Sequence, residues 1–383
     1  MLNSSASAHG AGYFLYHSIG MYQDKAADLA REMAAFAESW GVPNDAQWPY
    51  ILERRQHFID LWRQIIGAPA GTVTTCESVT QGVHSIITAL PENHLRGRRV
   101  LVAADCFPSV HFLLAGLAPR LGFTLDTVAL RPGASWVEDE DMQAAWGPDV
   151  GVALLTWVTS TASARCDLGT LVAHGRRMGS IVGVDITQGA GLLPFDVMAP
   201  KVDFAVSTSL KWMCGTPGAG MLHVDQALAA QCSPELRGWF SQANPFSWSL
   251  DAFSYAPDAR RFDSGTPASL PAIASLPALR WHARQDHAAL AAHNRALCDR
   301  LIDGIEANGL NLHSPREVNR RGGSVMLRMA DRAEAVATVA ALKDADISAD
   351  FRDAILRLSP GVLTESSAVD RAIAVIATAA GRS

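Results

Sequence analysis

Apolar residues recur every three or four positions near the start of the chain, which is the spacing of one helix face. This spacing predicts a helix over residues 24–40, which the sequence Gly-Val-Pro at 41–43 brings to an end. A second helix is predicted over residues 48–66, ending before Gly67. The apolar positions of the first helix are Leu29, Met33, Phe36 and Trp40.

From about residue 72, short apolar runs alternate with helical stretches. The predicted strands are residues 100–104, 150–156, 181–185, 204–207 and 220–224, with helices at 111–121 and 168–178 among them. Continuous apolar strands separated by helices indicate a mostly parallel sheet that is covered by helices on both faces. Ligands of such sheets bind beyond the carboxyl ends of the strands.

The last third of the chain has a different pattern. Residues 233–270 are rich in Pro, Ser, Trp and Phe and are predicted to form a long functional loop, followed by one long helix over residues 272–308. Strands and helices then alternate, at 323–329, 332–345, 355–359 and 367–380. This alternation predicts a smaller α+β domain that packs with the N-terminal helix.

The pattern as a whole therefore predicts an α/β protein in three parts. Residues 1–47 form an N-terminal segment that packs with the small domain, residues 48–258 form the large domain, and residues 259–383 form the small α+β domain.

Composition and charge narrow the classes of function. The chain has 383 residues, of which 49% are hydrophobic and 18% charged, as in globular proteins. The net charge of −6 argues against nucleic-acid or anionic-membrane partners, and no apolar run reaches the roughly 18–20 residues of a membrane span. The N-terminus lacks the pattern of a secretion signal, and the six cysteines form no C-x-x-C pair. We therefore expect a reduced, cytoplasmic protein without a metal site.

Residues 181–220 are the most informative for chemistry. One apolar strand ends in Asp185, and a second ends in Ser-Thr-Ser at 207–209, followed by Lys211 and a loop rich in glycine and proline. The 26 residues between Asp185 and Lys211 are enough for one crossover and one strand, so both side chains are expected at the carboxyl edge of the same sheet.

A carboxylate and a lysine in this arrangement suit pyridoxal 5'-phosphate (PLP). The lysine amine forms a Schiff base with the cofactor aldehyde, and the carboxylate keeps the pyridine nitrogen protonated. Hydroxyl groups beside Lys211, including that of Ser209, are candidates to bind the phosphate. On spacing alone, a strand-end Asp185 and a surface lysine without any joint role fit the pattern equally well.

The same segment resembles the PLP-attachment region of kynureninase and its relatives in the class V aminotransferase group of fold-type I enzymes. Those sequences read D-x-x-H or D-x-x-Q, then G-V-D-F, then S-x-K before a glycine-rich turn. Asp185, Gln188, the V-D-F at 202–204, Ser209 and Lys211 stand here in that order. The resemblance implies that Asp185, Gln188, Ser209 and Lys211 bind the cofactor.

Further motifs extend the resemblance over most of the chain. Residues 13–20 are similar to the opening Y-F-L-x-N-S-x-G of the family, with His17 at the asparagine position. The F-P-S that starts at Phe107 matches one whose phenyl ring stacks on the cofactor. The tryptophan that corresponds to Trp239 reaches the phosphate of the neighbouring subunit, and the arginine that corresponds to Arg357 binds the substrate carboxylate. Arg357 and His17 are therefore the expected substrate-binding residues.

Each of these positions also has a physical interpretation. Ser78, Val79 and Thr80 precede a helical pattern, and the N–H groups of a helix N-terminus attract phosphate, although simple capping by Ser78 or Thr80 fits the same pattern. The planar guanidinium of Arg357 suits a bidentate contact with a carboxylate. Thr266 falls where the family places a short turn that contacts cofactor or substrate.

The sequence also departs from the family. Leu210 stands where kynureninases carry a tyrosine that contacts the phosphate and takes part in proton transfer. The residues at 157–167 lack the aromatic and basic pattern expected around a kynurenine ring. The resemblance therefore implies the fold and the cofactor of the family, but it does not imply its substrate.

We expect a homodimeric PLP enzyme with shared active sites that acts on an α-amino acid. Kynureninase-like hydrolysis or lysis at Cβ is the leading hypothesis, with Lys211 moving the α-proton, and transamination is the alternative. A PLP-fold binding or regulatory protein without turnover is a third hypothesis, against which Asp185, Lys211 and Arg357 argue together. An NAD-dependent oxidoreductase is disfavoured, because the glycines at 215–220 do not form a dinucleotide fingerprint.

Overall fold

The computed structural model describes residues 10–381 and contains a large sheet of seven strands. The strands are β1 (Val73–Cys76), β2 (Arg99–Ala103), β3 (Thr124–Val128), β4 (Val150–Thr156), β5 (Ile181–Asp185), β6 (Phe204–Thr208) and β7 (Gly220–Val224). Their order across the sheet is β1-β7-β6-β5-β4-β2-β3, and only the pairs that involve β7 are antiparallel. The prediction of a mostly parallel sheet is confirmed.

Helices cover both faces of this sheet. They are α1 (Lys25–Trp40), α2 (Gln47–Ile65), α3 (Val79–Ile87), α4 (Pro108–Leu121), α5 (Asp139–Ala145), α6 (Leu168–Met178), α7 (Gln226–Ala229) and α8 (Ser269–Ala283). Successive residues of one strand enter different cores: Leu155 packs with Trp62 of α2, whereas Leu154 packs with Leu114 of α4. Burial on both faces explains why the central strands read as continuous apolar runs.

A smaller α+β unit follows, with its own core. It consists of α9 (His287–Ala307), β8 (Val325–Arg328), α10 (Arg332–Asp344), β9 (Asp350–Arg352), β10 (Ile355–Leu358) and α11 (Ser366–Ala379). The three strands form an antiparallel sheet in the order β8-β10-β9. Leu356 of β10, Leu301 of α9 and Ile376 of α11 meet in its interior.

The single helix predicted over residues 272–308 is wrong, because the chain forms two helices there. α8 ends at Ala283, and Asp286 caps a new helix by accepting hydrogen bonds from the backbone nitrogens of Ala288 and Ala289 at 2.9 and 3.1 Å. The predicted loop at 233–270 is largely irregular, with two short 3-10 helices at Trp239–Ser241 and Ala259–Phe262.

The N-terminal segment contacts both units. Tyr13 and Leu15 form β-bridges with Ser348 and Ser359 of the small unit. α1 packs on α8, and α8 belongs to the core of the large sheet through residues such as Leu276. The division of the chain at 47/48 and 258/259 stays a prediction. Within residues 10–381, no helix has both the length and the apolar character that a bilayer crossing requires.

Candidate active site

A cavity of about 280 Å³ lies at the carboxyl ends of β4, β5 and β6. Thr156, Asp185 and Thr208 are the last residues of these three strands, and all of them line the cavity. The other lining residues are Glu77, Ser78, Val79, Thr80, Phe107, Val158, Ser160, Thr187, Gln188, Leu210, Lys211, Pro217 and Gly218. The strand ends thus bring most of the sequence-predicted site residues together.

Lys211 follows β6 and is half-buried in the cavity wall. Its Nζ lies 5.2 Å from the centre of the Phe107 ring. Burial lowers the pKa of Lys211 to about 8, the carboxylate of Asp185 opposes this shift, and the positive charge of Arg357 adds to it. The amine is therefore neutral, and nucleophilic, at a lower pH than that of an exposed lysine.

Asp185 is almost fully buried, with 8% of its surface exposed. Its Oδ1 accepts a hydrogen bond of 2.9 Å from the backbone nitrogen of Thr187. Burial raises the pKa of Asp185, while the hydrogen bonds from Thr187 and the charge of Lys211 lower it. A buried acid on the wall of a polar cavity is suited to pair with a protonated ring nitrogen.

The N-terminus of α3 forms another wall of the cavity. Ser78 caps this helix, since its Oγ accepts a hydrogen bond of 3.2 Å from the backbone nitrogen of Gln81. Ser78, Val79 and Thr80 all line the cavity, and the first N–H groups of a helix have no partner within it. Capping and phosphate binding are therefore compatible here, and both sequence interpretations of this segment fit the structure.

Phe107 precedes α4 and leaves 43% of its surface exposed, although it is a large apolar residue. Its ring borders the same cavity. An exposed ring, a buried acid, a desolvated lysine and a helix N-terminus are the groups that a pyridine ring with an aldehyde and a phosphate requires. The residues present fit PLP.

Gln188 and Ser209 have partners within the protein. Gln188 lines the cavity, but its Nε2 donates to the carbonyl oxygen of His17 at 3.1 Å and its Oε1 accepts from Nε1 of Trp212 at 3.2 Å. Ser209 is fully buried, and its Oγ accepts a hydrogen bond of 3.1 Å from Nε1 of Trp62. The structure does not bring the Ser209 side chain to the cavity, because strand alternation turns Thr208 toward it instead.

The N-terminal segment is hydrogen-bonded to the backbone next to Lys211. The backbone nitrogen of Gly20 donates to the carbonyl oxygen of Leu210 at 3.0 Å. A Cβ atom on Gly20 would lie 1.9 Å from the carbonyl oxygen of Lys211, so this close approach requires glycine. Nζ of Lys25 donates to the carbonyl oxygen of Gly20 at 2.7 Å and fixes the segment further.

Arg357 lies in β10 and is 5% exposed. Its guanidinium donates to Asp350 at 2.8 Å from Nε and at 2.5 Å from Nη2. Nη1 donates to the carbonyl oxygen of Ser160, a residue of the cavity wall, at 3.4 Å. His17 belongs to the same cluster, with its Nε2 3.0 Å from Oδ1 of Asp350. Asp350 was not predicted as a site residue.

Trp239 and Thr266 lie outside the cavity within a single chain. The Trp239 ring packs against the rings of Phe240 and Trp48, with centre distances of 4.5 and 5.5 Å. Thr266 is exposed and lines a neighbouring cavity of about 290 Å³, which shares Glu77 and Gly218 with the first. Their predicted contacts with the cofactor stay predictions.

Other proteins share the sequence pattern of this chain. The family description "Aminotransferase class-V" matches residues 57–349, which is well over half of the chain. The chain belongs to the class-V aminotransferase family. The class-V relatives include the kynureninase of Deinococcus radiodurans, 31% identical over 91% of this chain and 85% of that protein. An uncharacterised aminotransferase of Bacillus subtilis is 24% identical over 86% of this chain and 85% of its own length.

A solved structure shows the same class-V fold. The cysteine desulfurase of Thermococcus onnurineus superposes with a TM-score of 0.82 at 17% identity, covering 96% of this chain and 94% of that one. The predicted fold type is confirmed. Kynureninases and class-V aminotransferases are PLP-dependent enzymes, so the predicted cofactor and the prediction that the chain is an enzyme are confirmed as well.

Proposed function

We propose that this class-V enzyme catalyses kynureninase-like cleavage of a bond at Cβ of an α-amino acid. One observation carries the proposal: a desolvated Lys211 and a buried Asp185 open into one cavity, and Arg357 stands at its border. The kynureninase relative, aligned over 91% of the chain, supports this choice of reaction among those that PLP assists.

Three side chains have separate roles in the proposed reaction. When bound, PLP supplies an electron-accepting ring that stabilises negative charge at the substrate Cα. Asp185 accepts a hydrogen bond from the proton on the ring nitrogen and keeps that proton in place. Nζ of Lys211 removes and returns the α-proton, for which its lowered pKa suits it. Arg357 binds the α-carboxylate and so orients the bond that breaks.

Transamination is the second candidate, and Leu210 favours it. This half-buried residue lines the cavity directly beside Lys211. Leucine has no proton to donate to a departing group at the position where kynureninases carry a tyrosine. Transamination needs no such donor, since the proton only moves between Cα and the cofactor.

Product analysis separates the two reactions. The purified protein, loaded with PLP, is incubated with L-kynurenine and with a panel of other amino acids, and the products are identified by mass spectrometry. Alanine as product supports hydrolytic cleavage at Cβ. A 2-oxo acid, formed in step with conversion of the cofactor to its amine, supports transamination. Both reactions are contradicted if the wild type turns over none of the amino acids faster than a Lys211→Ala control does.

We also propose that the active unit is a cytoplasmic homodimer, with Trp239 and Thr266 reaching the cofactor phosphate of the partner. Apolar side chains on the loop after Trp239 support an interface, because Phe246, Trp248 and Leu250 are 69%, 81% and 97% exposed. The six cysteines are free thiols, as expected in a reducing compartment. Light scattering tests the dimer: a monomer with full PLP binding and turnover contradicts shared sites.

A further inference from the structure

The contact between Arg357 and Asp350 is built into the small sheet. β9 and β10 are antiparallel, and their register places Asp350 directly opposite Arg357. Directly opposite residues project from the same face of a sheet, so the two side chains meet. Nε and Nη2 of Arg357 donate to Oδ1 and Oδ2 of Asp350 at 2.8 and 2.5 Å. The carboxylate therefore binds the side edge of the guanidinium in a bidentate manner.

This contact leaves part of the guanidinium available. Arginine carries five N–H groups. Two of them bind Asp350, and one on Nη1 makes a long contact of 3.4 Å with the carbonyl oxygen of Ser160. One N–H group therefore remains on each of the two terminal nitrogens. Because Ser160 lines the cavity, Nη1 lies near the cavity border, on the side from which a substrate carboxylate approaches in the proposed function.

Asp350 is itself held in place. Nε2 of His17 lies 3.0 Å from Oδ1 of Asp350, and Nδ1 of His17 lies 2.7 Å from Oγ of Ser359, which lies 2.6 Å from Oγ of Ser324. Burial lowers the pKa of His17, so the imidazole is neutral. Nδ1 of the imidazole shares a hydrogen bond with the Ser359 hydroxyl, whereas Nε2 lies close to Asp350 without the alignment of a hydrogen bond. The buried His17 ring thus limits the space that is open to the Asp350 carboxylate.

The carboxyl group of Asp350 also stays ionised. Burial raises its pKa, but the contacts with His17 and Arg357 outweigh burial and lower the pKa to about 2. Asp350 is thus a carboxylate at neutral pH. A fixed, charged acceptor restricts the rotamers of Arg357, whose long side chain otherwise loses conformational entropy when it binds a ligand.

We propose that Asp350, oriented by His17, is a positioning residue that presents the free edge of Arg357 to the substrate carboxylate. The proposal rests on the proposed function, in which Arg357 binds that group. The opposite possibility is competition, in which Asp350 occupies the guanidinium and weakens substrate binding. The side-edge geometry favours positioning, since both terminal nitrogens keep an N–H group.

Substrate binding in Asp350 variants tests this. Asp350→Asn and Asp350→Glu are compared with wild type for KM, kcat and PLP content, using the amino acid that the product screen identifies. The matched control is Asp353→Asn, in the adjacent turn, where the side chain is 99% exposed. For Asp350→Asn we expect KM to rise about 10- to 100-fold, as for a lost charged hydrogen bond. We expect kcat to stay within about threefold and PLP content to stay unchanged, with partial rescue in Asp350→Glu.

An unchanged or lower KM in Asp350→Asn overturns the positioning role, and a lower KM identifies competition instead. If that variant does not fold, His17→Asn replaces it: a KM increase of about threefold or more supports the proposal, and anything less overturns it. Arg357→Ala separates this inference from the proposed function. If Arg357→Ala leaves KM unchanged, the proposed carboxylate site is wrong. If it raises KM and Asp350→Asn does not, only the positioning role is wrong.

Discussion

The large sheet and the small sheet each contribute one carboxylate and one basic side chain to the site. The two groups form an ion pair only in the small sheet. Among residues 10–381, Lys211 and Asp185 of the large sheet take part in no ion pair, and burial shifts the pKa of each. Arg357 and Asp350 of the small sheet form a bidentate pair. In the proposed function, the groups that react therefore have no charged partner, whereas the group that orients the substrate is fixed by one.

The position of each residue along its strand explains this difference. Asp185 ends β5, and Lys211 lies three residues beyond the end of β6, so both project into the space past the sheet. Arg357 lies within β10 and faces Asp350 across the ladder. A strand end offers open space for a ligand, and the middle of a ladder offers a fixed neighbour.

Among variants of the two sheets, replacement of Lys211 is expected to have the largest effect on turnover. In the proposed function, Lys211→Ala removes both the covalent attachment of PLP and the proton carrier, so turnover should fall by about 10³-fold or more. The exposed Lys343→Ala serves as the control and should retain full activity. Borohydride reduction of the wild type, followed by peptide mapping, should place the cofactor on Lys211. A label on another lysine contradicts the assignment of the reactive base.

Asp185→Asn should have the next largest effect. The amide has the shape of the acid but does not hold a proton on the ring nitrogen, so kcat should fall by about 10²- to 10³-fold. Circular dichroism should show an unchanged fold, and the exposed Asp344→Asn should behave as wild type. Near-normal kcat in Asp185→Asn would contradict the proposed contact of this carboxylate with the ring nitrogen.

The pH dependence of cofactor attachment sharpens the comparison further. Since burial lowers the pKa of Lys211 from 10.5 to about 8, the neutral amine dominates above pH 8. The rate of PLP attachment to apoprotein should therefore rise about tenfold per pH unit up to pH 8 and then level off. Stopped-flow absorbance between pH 6 and 10 measures it.

A variant of the small sheet tests whether the two regions communicate. The charge of Arg357 contributes to the lowered pKa of Lys211. Arg357→Gln should therefore move the midpoint of the curve of PLP attachment rate against pH to a higher pH. The conservative Arg357→Lys, which keeps the charge, is the control. A wild-type midpoint near 10.5 contradicts the lowered pKa of Lys211, and an unmoved midpoint in Arg357→Gln shows that the electrostatic link is absent.

Ser78→Ala should have the smallest effect. Its Oγ caps α3, and loss of such a cap costs about 1 kcal/mol of the free energy of unfolding. Urea unfolding of the apoprotein measures this loss, with the exposed Ser249→Ala as control. The PLP dissociation constant should increase only a few-fold, because backbone N–H groups of α3 remain. A loss above about 3 kcal/mol would show that Ser78 does more than cap the helix.

The sequence predicted the centre of the large sheet well and its edges poorly. Residues 150–156, 181–185 and 220–224 are strands with the predicted bounds, since burial on both faces makes them continuous apolar runs. The edge strands β1 and β3 were not predicted. Their sequences, VTTC and TLDTV, mix polar and apolar residues because one side of an edge strand meets fewer neighbours.

The same contrast applies to the site. Lys211 and Asp185 were found because a strand that ends in a charged residue is visible in the sequence. Asp350 was missed, since it becomes significant only through the register of β9 and β10, which no local pattern reveals. Ser209 was selected from the motif, but its hydroxyl binds Trp62, a residue 147 positions earlier. Asp286 was also missed, although an aspartate before a helical pattern is a capping signal that the sequence does carry.

The bridges made by Tyr13 and Leu15 have a consequence for biosynthesis. This segment is translated early, yet its partners Ser348 and Ser359 are translated more than three hundred residues later. It also binds the backbone of Leu210 through Gly20, so it joins the two halves of the site. During translation the large sheet is able to form while the substrate pocket remains open. A ribosome-bound nascent chain is therefore expected to acquire its cofactor before it acquires its specificity.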